Sequence, residues 1–217
     1  MLIRFACCRA LLGAIAFAAM VNGSSSMDVA SEVTLNAECK TTPEDLRVRF
    51  SLRNNLGEDI YVLTALPKLN PETRQAIADA GAYSLFLSKP AEATVLIGVP
   101  PLPSRKLVAV RVMPLAVKLP AGGTLSHTVS PIPLPLAERS VYESAPPGNL
   151  LRRVQIERLA LRVQYIKSST PDLEVTPVSY SAEHFNVRTK KTVADIREVQ
   201  ANLLTKEMSL RMFTRDD

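Results

Sequence analysis

Hydrophobic and polar positions alternate most strictly in residues 46–53. The apolar members of this stretch are Leu46, Val48, Phe50 and Leu52, and the polar members are Arg47, Arg49, Ser51 and Arg53. A period of two puts alternate side chains on opposite faces of a β-strand, so one face is expected in the core and the other in water. The turn-forming segment 54–57, NNLG, follows, and a β-branched and aromatic run resumes at Ile60. The pattern predicts a β-hairpin over residues 46–66, which needs a second apolar layer to be stable.

Further strands are predicted where short apolar or alternating runs lie between turn signals. These runs cover residues 32–39, 83–88, 94–99, 106–119, 124–130, 175–180 and 184–188. The runs 83–88 and 94–99 are nearly apolar throughout, so we expect them to pair and to be buried on both faces. Pro114 lies inside the run 106–119, which is therefore expected to bend or to change sheet near Met113.

Residues 153–167 form the longest alternating segment. Val154 and Ile156 share one phase, whereas the apolar residues within 159–165 share the opposite phase. The switch near Glu157 predicts a β-bulge. A helix is the competing interpretation, which the strict period of two after the switch disfavours.

Two segments have helical features. Asn70 followed by Pro71 is typical of a helix start, with asparagine as the N-cap and proline at the first helical position, and predicts a short helix over residues 71–80. A plain loop is the alternative there. Residues 193–204 fit a short amphipathic helix, and the choice between helix and strand stays open for residues 193–207. With the many short strands, these segments predict a mainly β protein, an immunoglobulin-like antiparallel β-sandwich with one or two short helices.

The N-terminus has the order of a secretory signal peptide. Arg4 and Arg9 begin it, an uncharged apolar run covers residues 10–21, and small residues follow. The run is too short for a stable membrane span, which takes about 20 apolar residues; an uncleaved anchor is the alternative. The chain thus divides into a signal peptide, a flexible N-terminus and a single β-sandwich domain, at residues 1–23, 24–31 and 32–217. We expect an exported protein, periplasmic or secreted, with no stable membrane span after signal removal.

Charge and cysteine content narrow the classes of partner. The formal net charge is +5, and residues 1–23 contribute two arginines and no acid, which leaves +3. This charge is too mild to predict nucleic-acid binding. Cys7 and Cys8 lie before the apolar run and would leave with the signal, so Cys39 would have no partner for an intramolecular disulfide. We interpret Cys39 as a small buried hydrophobe at the end of the first strand.

No motif for catalysis, metal binding or cofactor binding is recognisable in the sequence. A nucleophile needs a base within hydrogen-bond reach, and the two histidines, His127 and His184, leave only a pairing of Cys39 with His184 open. His127 lies on the apolar phase of its strand, so we interpret it as a half-buried structural histidine. Zinc needs histidines and cysteines at short spacing, which the chain lacks. We therefore expect no catalytic residue, no cofactor and no metal, and a protein that is not an enzyme.

Two features suggest binding instead. Arg47, Arg49 and Arg53 form a basic stripe on the polar face of their strand, a candidate surface for an anion or a partner. A solvated sheet face is the alternative interpretation of the stripe. Residues 131–136, PIPLPL, favour an extended path, either as a ligand for an aromatic groove or as a connection packed on the core.

Residues 119–136, LPAGGTLSHTVSPIPLPL, with Val141, Tyr142 and the later segment 163–165, VQY, resemble small exported bacterial proteins of uncharacterised function that have an immunoglobulin-like β-sandwich. The resemblance implies no activity. The sequence therefore predicts a non-catalytic exported binding or interaction module of the cell envelope with a protein partner there. The alternatives are a structural accessory subunit of an envelope assembly and an enzyme whose site is hidden by sequence separation.

Overall fold

The computed structural model of the chain describes residues 31–103, 108, 110–142, 151–190, 194–203 and 210–215. The predicted signal peptide and residues 24–30 lie outside this part. The described residues belong to one compact unit, Ser31–Asp217. Their strands are β1 (Val33–Thr41), β2 (Asp45–Asn54), β3 (Ile60–Leu69), β4 (Ala76–Asp79), β5 (Ser84–Lys89), β6 (Glu92–Ile97), β7 (Leu115–Leu119), β8 (Thr124–Thr128), β9 (Ile132–Pro133), β10 (Leu136–Ala137), β11 (Leu151–Ile156), β12 (Arg158–Lys167), β13 (Glu174–Val178), β14 (Ser181–Arg188), β15 (Arg197–Asn202) and β16 (Leu210–Arg215).

The strands form three sheets. The small sheet has the antiparallel order β1-β2-β8, with β9 added to β2. The large sheet has the order β13-β14-β7-β3-β12-β6-β5, with β15 on β12 and β4 on β3, and only its β6–β12 pair is parallel. The third sheet has the order β10-β16-β11, in which β10 runs parallel to β16. The prediction of a mainly β protein is therefore confirmed.

One hydrophobic core joins the small and large sheets. Val48 and Phe50 of β2 belong to the same buried cluster as Val95 of β6 and Leu161 of β12. Two mainly antiparallel layers around a shared core are consistent with a β-sandwich. The predicted strand pair 83–88 and 94–99 is also confirmed, since β5 and β6 pair antiparallel and all of β6 is buried.

The predicted hairpin is wrong in its pairing but right in its strands and faces. The apolar positions of β2 are buried and its arginines are exposed, as the alternation predicts. However, β2 pairs within the small sheet and β3 within the large sheet. Asn54 holds the crossing, because its buried side-chain amide donates to the carbonyl oxygens of Glu58, Leu119 and Pro120, at 2.8, 3.2 and 3.0 Å. The turn signal therefore marks a passage between layers.

The phase switch near Glu157 also marks a change of sheet, and the predicted bulge is wrong. β11 pairs with β16 in the third sheet, whereas β12 pairs in the large sheet. The backbone N–H groups of Glu157 and Arg158 both donate to the carbonyl oxygen of Ala91, at 2.8 and 3.1 Å. The apolar residues on both sides of the change, such as Ile156 and Leu159, face the same buried core.

The predicted helices are wrong, since no helix occurs among the described residues. Asn70 Oδ1 accepts from the N–H groups of Glu72 and Thr73, as an N-cap would. Arg74 then adopts a φ of 57°, which ends the turn, and β4 returns antiparallel along β3. In the segment 193–204, the strand alternative holds for β15, which pairs with β12.

Proline shapes two further connections. The strand predicted over residues 106–119 begins only at Leu115, directly after Pro114; residues 104–107 and 109 lie outside the described part. In the segment 131–136, Ile132 and Leu136 are buried in the core as parts of β9 and β10. The proline-rich segment is therefore a connection packed on the core. No described helix is long and apolar enough to cross a membrane.

Candidate functional site

The outer face of the small sheet carries the arginines that the sequence singled out. Arg47, Arg49 and Arg53 are exposed on β2, while their neighbours along the strand alternate into the core. The register aligns this face with the outward side chains of β1 and β8. We call the resulting surface the arginine face, and it consists of Thr34, Asn36, Glu38, Lys40, Asp45, Arg47, Arg49, Ser51, Arg53, Thr124, Ser126 and Thr128.

Hydroxyl groups flank the arginines along β8. Arg53 lies between Thr34 and Thr124, and Arg49 lies between Glu38 and Thr128. The side chains are spaced by the strand, which puts alternate residues about 6.8 Å apart. Guanidinium groups bind carboxylate or phosphate with two parallel hydrogen bonds, and hydroxyls supply further donors. The arrangement can therefore hold an extended anion.

The positive charge of the arginine face is only partly neutralised. Arg47 Nε lies 3.1 Å from Asp45 Oδ1, and the hydrogen bonds of Arg47 and Thr42 lower the pKa of Asp45. Neither Arg49 nor Arg53 forms an ion pair with any residue in the described ranges. Four cations against two acids leave the face net positive.

A second charged cluster lies on the large sheet and is balanced internally. The nearly buried carboxylate of Glu92 lies 3.9 Å from Arg158 Nη1 and 4.0 Å from Arg162 Nη2, and it accepts from Ser88 Oγ at 3.2 Å. Arg162 Nη1 also lies 3.5 Å from Glu198 Oε1. Because each of these acids has a cationic neighbour, the cluster is suited to fixing β6, β12 and β15 together.

The large sheet divides at Gln164, where β12 exchanges one neighbour for another. Residues of β12 pair with β6 up to Val163 and with β3 from Tyr165, and we call this point the fork. Gln164 Oε1 accepts a hydrogen bond from the N–H of Val99 at 2.9 Å, which links β12 to the residue just after β6 at the fork. A surface depression beside the fork is lined by Leu63, Thr64, Ser84, Leu96 and Gly98, among others, and it encloses no space for a water molecule.

The two histidines and Cys39 lie apart from the arginines. His127 packs against Phe50 at a ring distance of 5.1 Å, and burial lowers its pKa. His184 Nδ1 lies 2.7 Å from Ser181 Oγ, and burial lowers the pKa of this imidazole too. Burial raises the pKa of the Cys39 thiol to about 11. No hydrogen bond joins Cys39 to His184 in the part of the chain that is described.

The contact between Ser181 and His184 was missed by the sequence reasoning. A serine three residues before a histidine is too common to be a signal, and only the start of β14 brings the two together. His184 is 8% exposed, so its imidazole is closed to a substrate. Within the described ranges, no group of three or more His, Cys, Asp or Glu side chains could hold a metal ion.

Comparison of the chain with protein-family models, with curated proteins and with solved structures gives no match.

Proposed function

We propose that this protein is a non-catalytic exported binding module of the cell envelope, built as an immunoglobulin-like β-sandwich, which holds an anionic partner on the arginine face. One observation carries the proposal. Arg49 and Arg53 project from the middle strand of a sheet and form no ion pair in the described ranges. A hydroxyl flanks each of them on β8, while Glu38 lies opposite Arg49 on β1. Export is supported by the signal-like order of residues 1–23.

The rigidity of β2 favours binding over a merely solvated surface. Leu46, Val48 and Leu52, which alternate with the arginines, are fully buried and fix the backbone from which the guanidinium groups project. Binding therefore costs little free energy for ordering the backbone of β2, and only the arginine side chains lose conformational freedom. The mild charge of +3 after signal removal supports a discrete acidic partner rather than nucleic acid.

The test compares two triple variants of equal charge. In the first, Arg47, Arg49 and Arg53 are changed to Ser; in the control, the exposed Arg74, Arg188 and Arg211 are changed to Ser. Each immobilised protein is exposed to envelope proteins from cells that express it, and bound material is eluted with salt. We expect the wild type and the control to retain a partner that salt releases, because surface charge attraction is screened.

The arginine-face variant should retain at least about tenfold less of that partner, as expected when charge pairs at an interface are lost. Circular dichroism and urea unfolding of each variant verify that it is folded. Equal retention by all three proteins would contradict the proposal. Co-sedimentation of the retained partner with a large assembly would favour the structural accessory role.

A further inference from the structure

The edges of the sheets are not equally protected. The large sheet ends in β13, where Pro177 removes a backbone donor, and in β5, where Leu85 exchanges two backbone hydrogen bonds with Arg139, at 3.0 and 2.8 Å. Proline and added backbone pairing are two ways in which proteins block a sheet edge. In the small sheet, β1 lies against β15. Strand addition is therefore hindered at β13 and β5, and β15 lies close to β1.

In the small sheet, β8 lacks such protection along Thr124–Thr128, and its open edge ends just beyond, where the N–H of Ser130 donates to the carbonyl oxygen of Gly81 at 3.1 Å. Its only strand partner in the described part of the chain is β2. Its sequence, Thr124–Thr128, contains no proline, lysine, arginine, aspartate or glutamate. An edge of this kind presents a row of backbone donors and acceptors that an extended peptide can pair with.

The core is also open beside β8. Phe50 and Leu52 on β2 are 2% and 0% exposed, whereas His127 and Leu125, directly opposite them on β8, are only half-buried. One more strand beside β8 would cover apolar surface on its inner side.

The outer side of the same edge is basic. An added strand would lie two strand spacings, about 9.6 Å, from β2. Arginine and glutamate side chains together span that distance over the short side chains of Thr124 and Thr128, which lie opposite Arg53 and Arg49. Arg49 and Arg53 are four residues apart, so they match two acids at the same spacing in a partner strand. The outward residues of such a strand should be acidic and the inward ones apolar.

We propose that the partner is an extended polypeptide segment of about five residues in which acidic and apolar side chains alternate. This segment pairs with the edge of β8, an inference that rests on the proposed function. Its acids meet Arg49 and Arg53, and its apolar residues cover Leu125. A second copy of this chain is a poorer occupant, because pairing β8 with β8 would bring two basic faces together.

The probe is a blocked seven-residue peptide in which glutamate and valine alternate, labelled for fluorescence anisotropy. A peptide of the same composition with its glutamates and valines grouped is the first control. We expect the grouped peptide to bind at least about tenfold more weakly, since it cannot present both faces at once. The Arg49→Ser, Arg53→Ser double variant should lose a similar factor, and Arg188→Ser, Arg211→Ser should change affinity less than about twofold.

Two further peptides test the backbone pairing. One is N-methylated at its valines and the other at its glutamates; in a strand, these two sets of N–H groups point to opposite sides. Binding to an edge requires that one methylated peptide fails to bind and the other binds nearly normally. Equal binding of both would overturn the pairing with β8, while arginine dependence would still support the proposed function.

The remaining outcomes separate the two proposals. Unchanged affinity of the double arginine variant would contradict the proposed function itself. Equally tight, arginine-dependent binding of polygalacturonate would overturn the polypeptide partner and leave an anion-binding surface. A dimer in analytical ultracentrifugation without peptide, dispersed by the peptide, would show that a second copy occupies the edge and would also overturn the proposal.

Discussion

At the residue scale, adjacent side chains of β2 differ sharply in burial. Phe50 is 2% exposed within the core shared by the small and large sheets, and its neighbour Arg49 is exposed. We expect Phe50→Ala to lower the free energy of unfolding by about 3–5 kcal/mol, because it removes a buried ring and leaves a cavity. Arg49→Ser should change it by less than about 0.5 kcal/mol. Urea unfolding measures both, and a near-neutral Phe50→Ala would mean that the ring is outside the core.

Buried hydroxyls behave differently according to their partners. Thr94 is 0% exposed, and its Oγ1 has no hydrogen-bond partner. Thr94→Val keeps the shape and removes a desolvated polar group, so we expect the free energy of unfolding to rise by about 1 kcal/mol. Thr214→Val is the matched contrast, because Thr214 Oγ1 donates to Glu138 Oε1 at 2.8 Å and its loss should destabilise the protein. Destabilisation by both substitutions in calorimetry would argue against an unpartnered Thr94.

Single residues were predictable where the period of two applied. The buried and exposed positions of β2, the core position of Ile132 and the half-buried state of His127 all follow from alternation or neighbouring sequence. The neighbours of Arg53 on β1 and β8 were not predictable, because register between strands that are distant in sequence depends on the whole sheet. The candidate surface could thus be found as a stripe but not as a face with hydroxyl flanks.

At the scale of elements, the fork of the large sheet depends on one glycine. Gly98 has a φ of 152°, and a Cβ there would lie 2.8 Å from the Cβ of Gln164. Gly98→Ala should therefore displace Gln164, break its hydrogen bond to Val99, and cost about 2–4 kcal/mol of stability. Gly57→Ala is the control, since nothing lies within 4 Å of its Cβ, and it should be neutral or slightly stabilising. Equal urea midpoints for the two variants would refute this role of the fork.

Connections between elements were harder to predict than the elements themselves. The crossing at Asn54, the change of sheet at Glu157 and the turn at Asn70 each carry a clear local signal. Each signal fits two structures: a hairpin or a crossing, a bulge or a change of sheet, a helix cap or a tight turn. The choice is made by contacts with distant segments, such as the bonds from Asn54 to Leu119 and Pro120. Those contacts cannot be predicted from the neighbouring residues in the sequence.

At the scale of the whole molecule, the two layers contain different numbers of strands. The large sheet has seven strands in line, while the small sheet has three and ends at β8. The sequence predicted two apolar layers, but it could not predict how many strands each would hold, because the parallel pairing of β6 with β12 joins segments far apart in the chain. This inequality is the basis of the proposed binding site, since it leaves half-buried Leu125 and the basic face beside the same edge.

The stability of the whole molecule should fall in two steps as the pH is lowered. Burial lowers the pKa of His127 and His184 below 6.5, so the unfolded chain binds protons more readily than the folded one. Stability is thus full above about pH 6.5 and is lost as the pH falls towards the lowered values. Asp45 and Asp59 have lowered pKa values, from hydrogen bonds led by Arg47 and Lys118 respectively, and their contribution is lost only below about pH 4.

The histidine step can be isolated by measuring urea midpoints at pH 8, 6.5, 5.5 and 5. We expect the wild type to lose stability steadily below pH 6.5, because each imidazole must be charged in a site with reduced access to water: half-buried His127 against Phe50, and buried His184 beside Ser181. In a His127→Gln, His184→Gln double variant, the slope of stability against pH should be nearly flat over this range, whatever its absolute stability. A wild type that gains stability between pH 8 and 5, or a double variant with the same slope, would show that the histidines are not held neutral by burial.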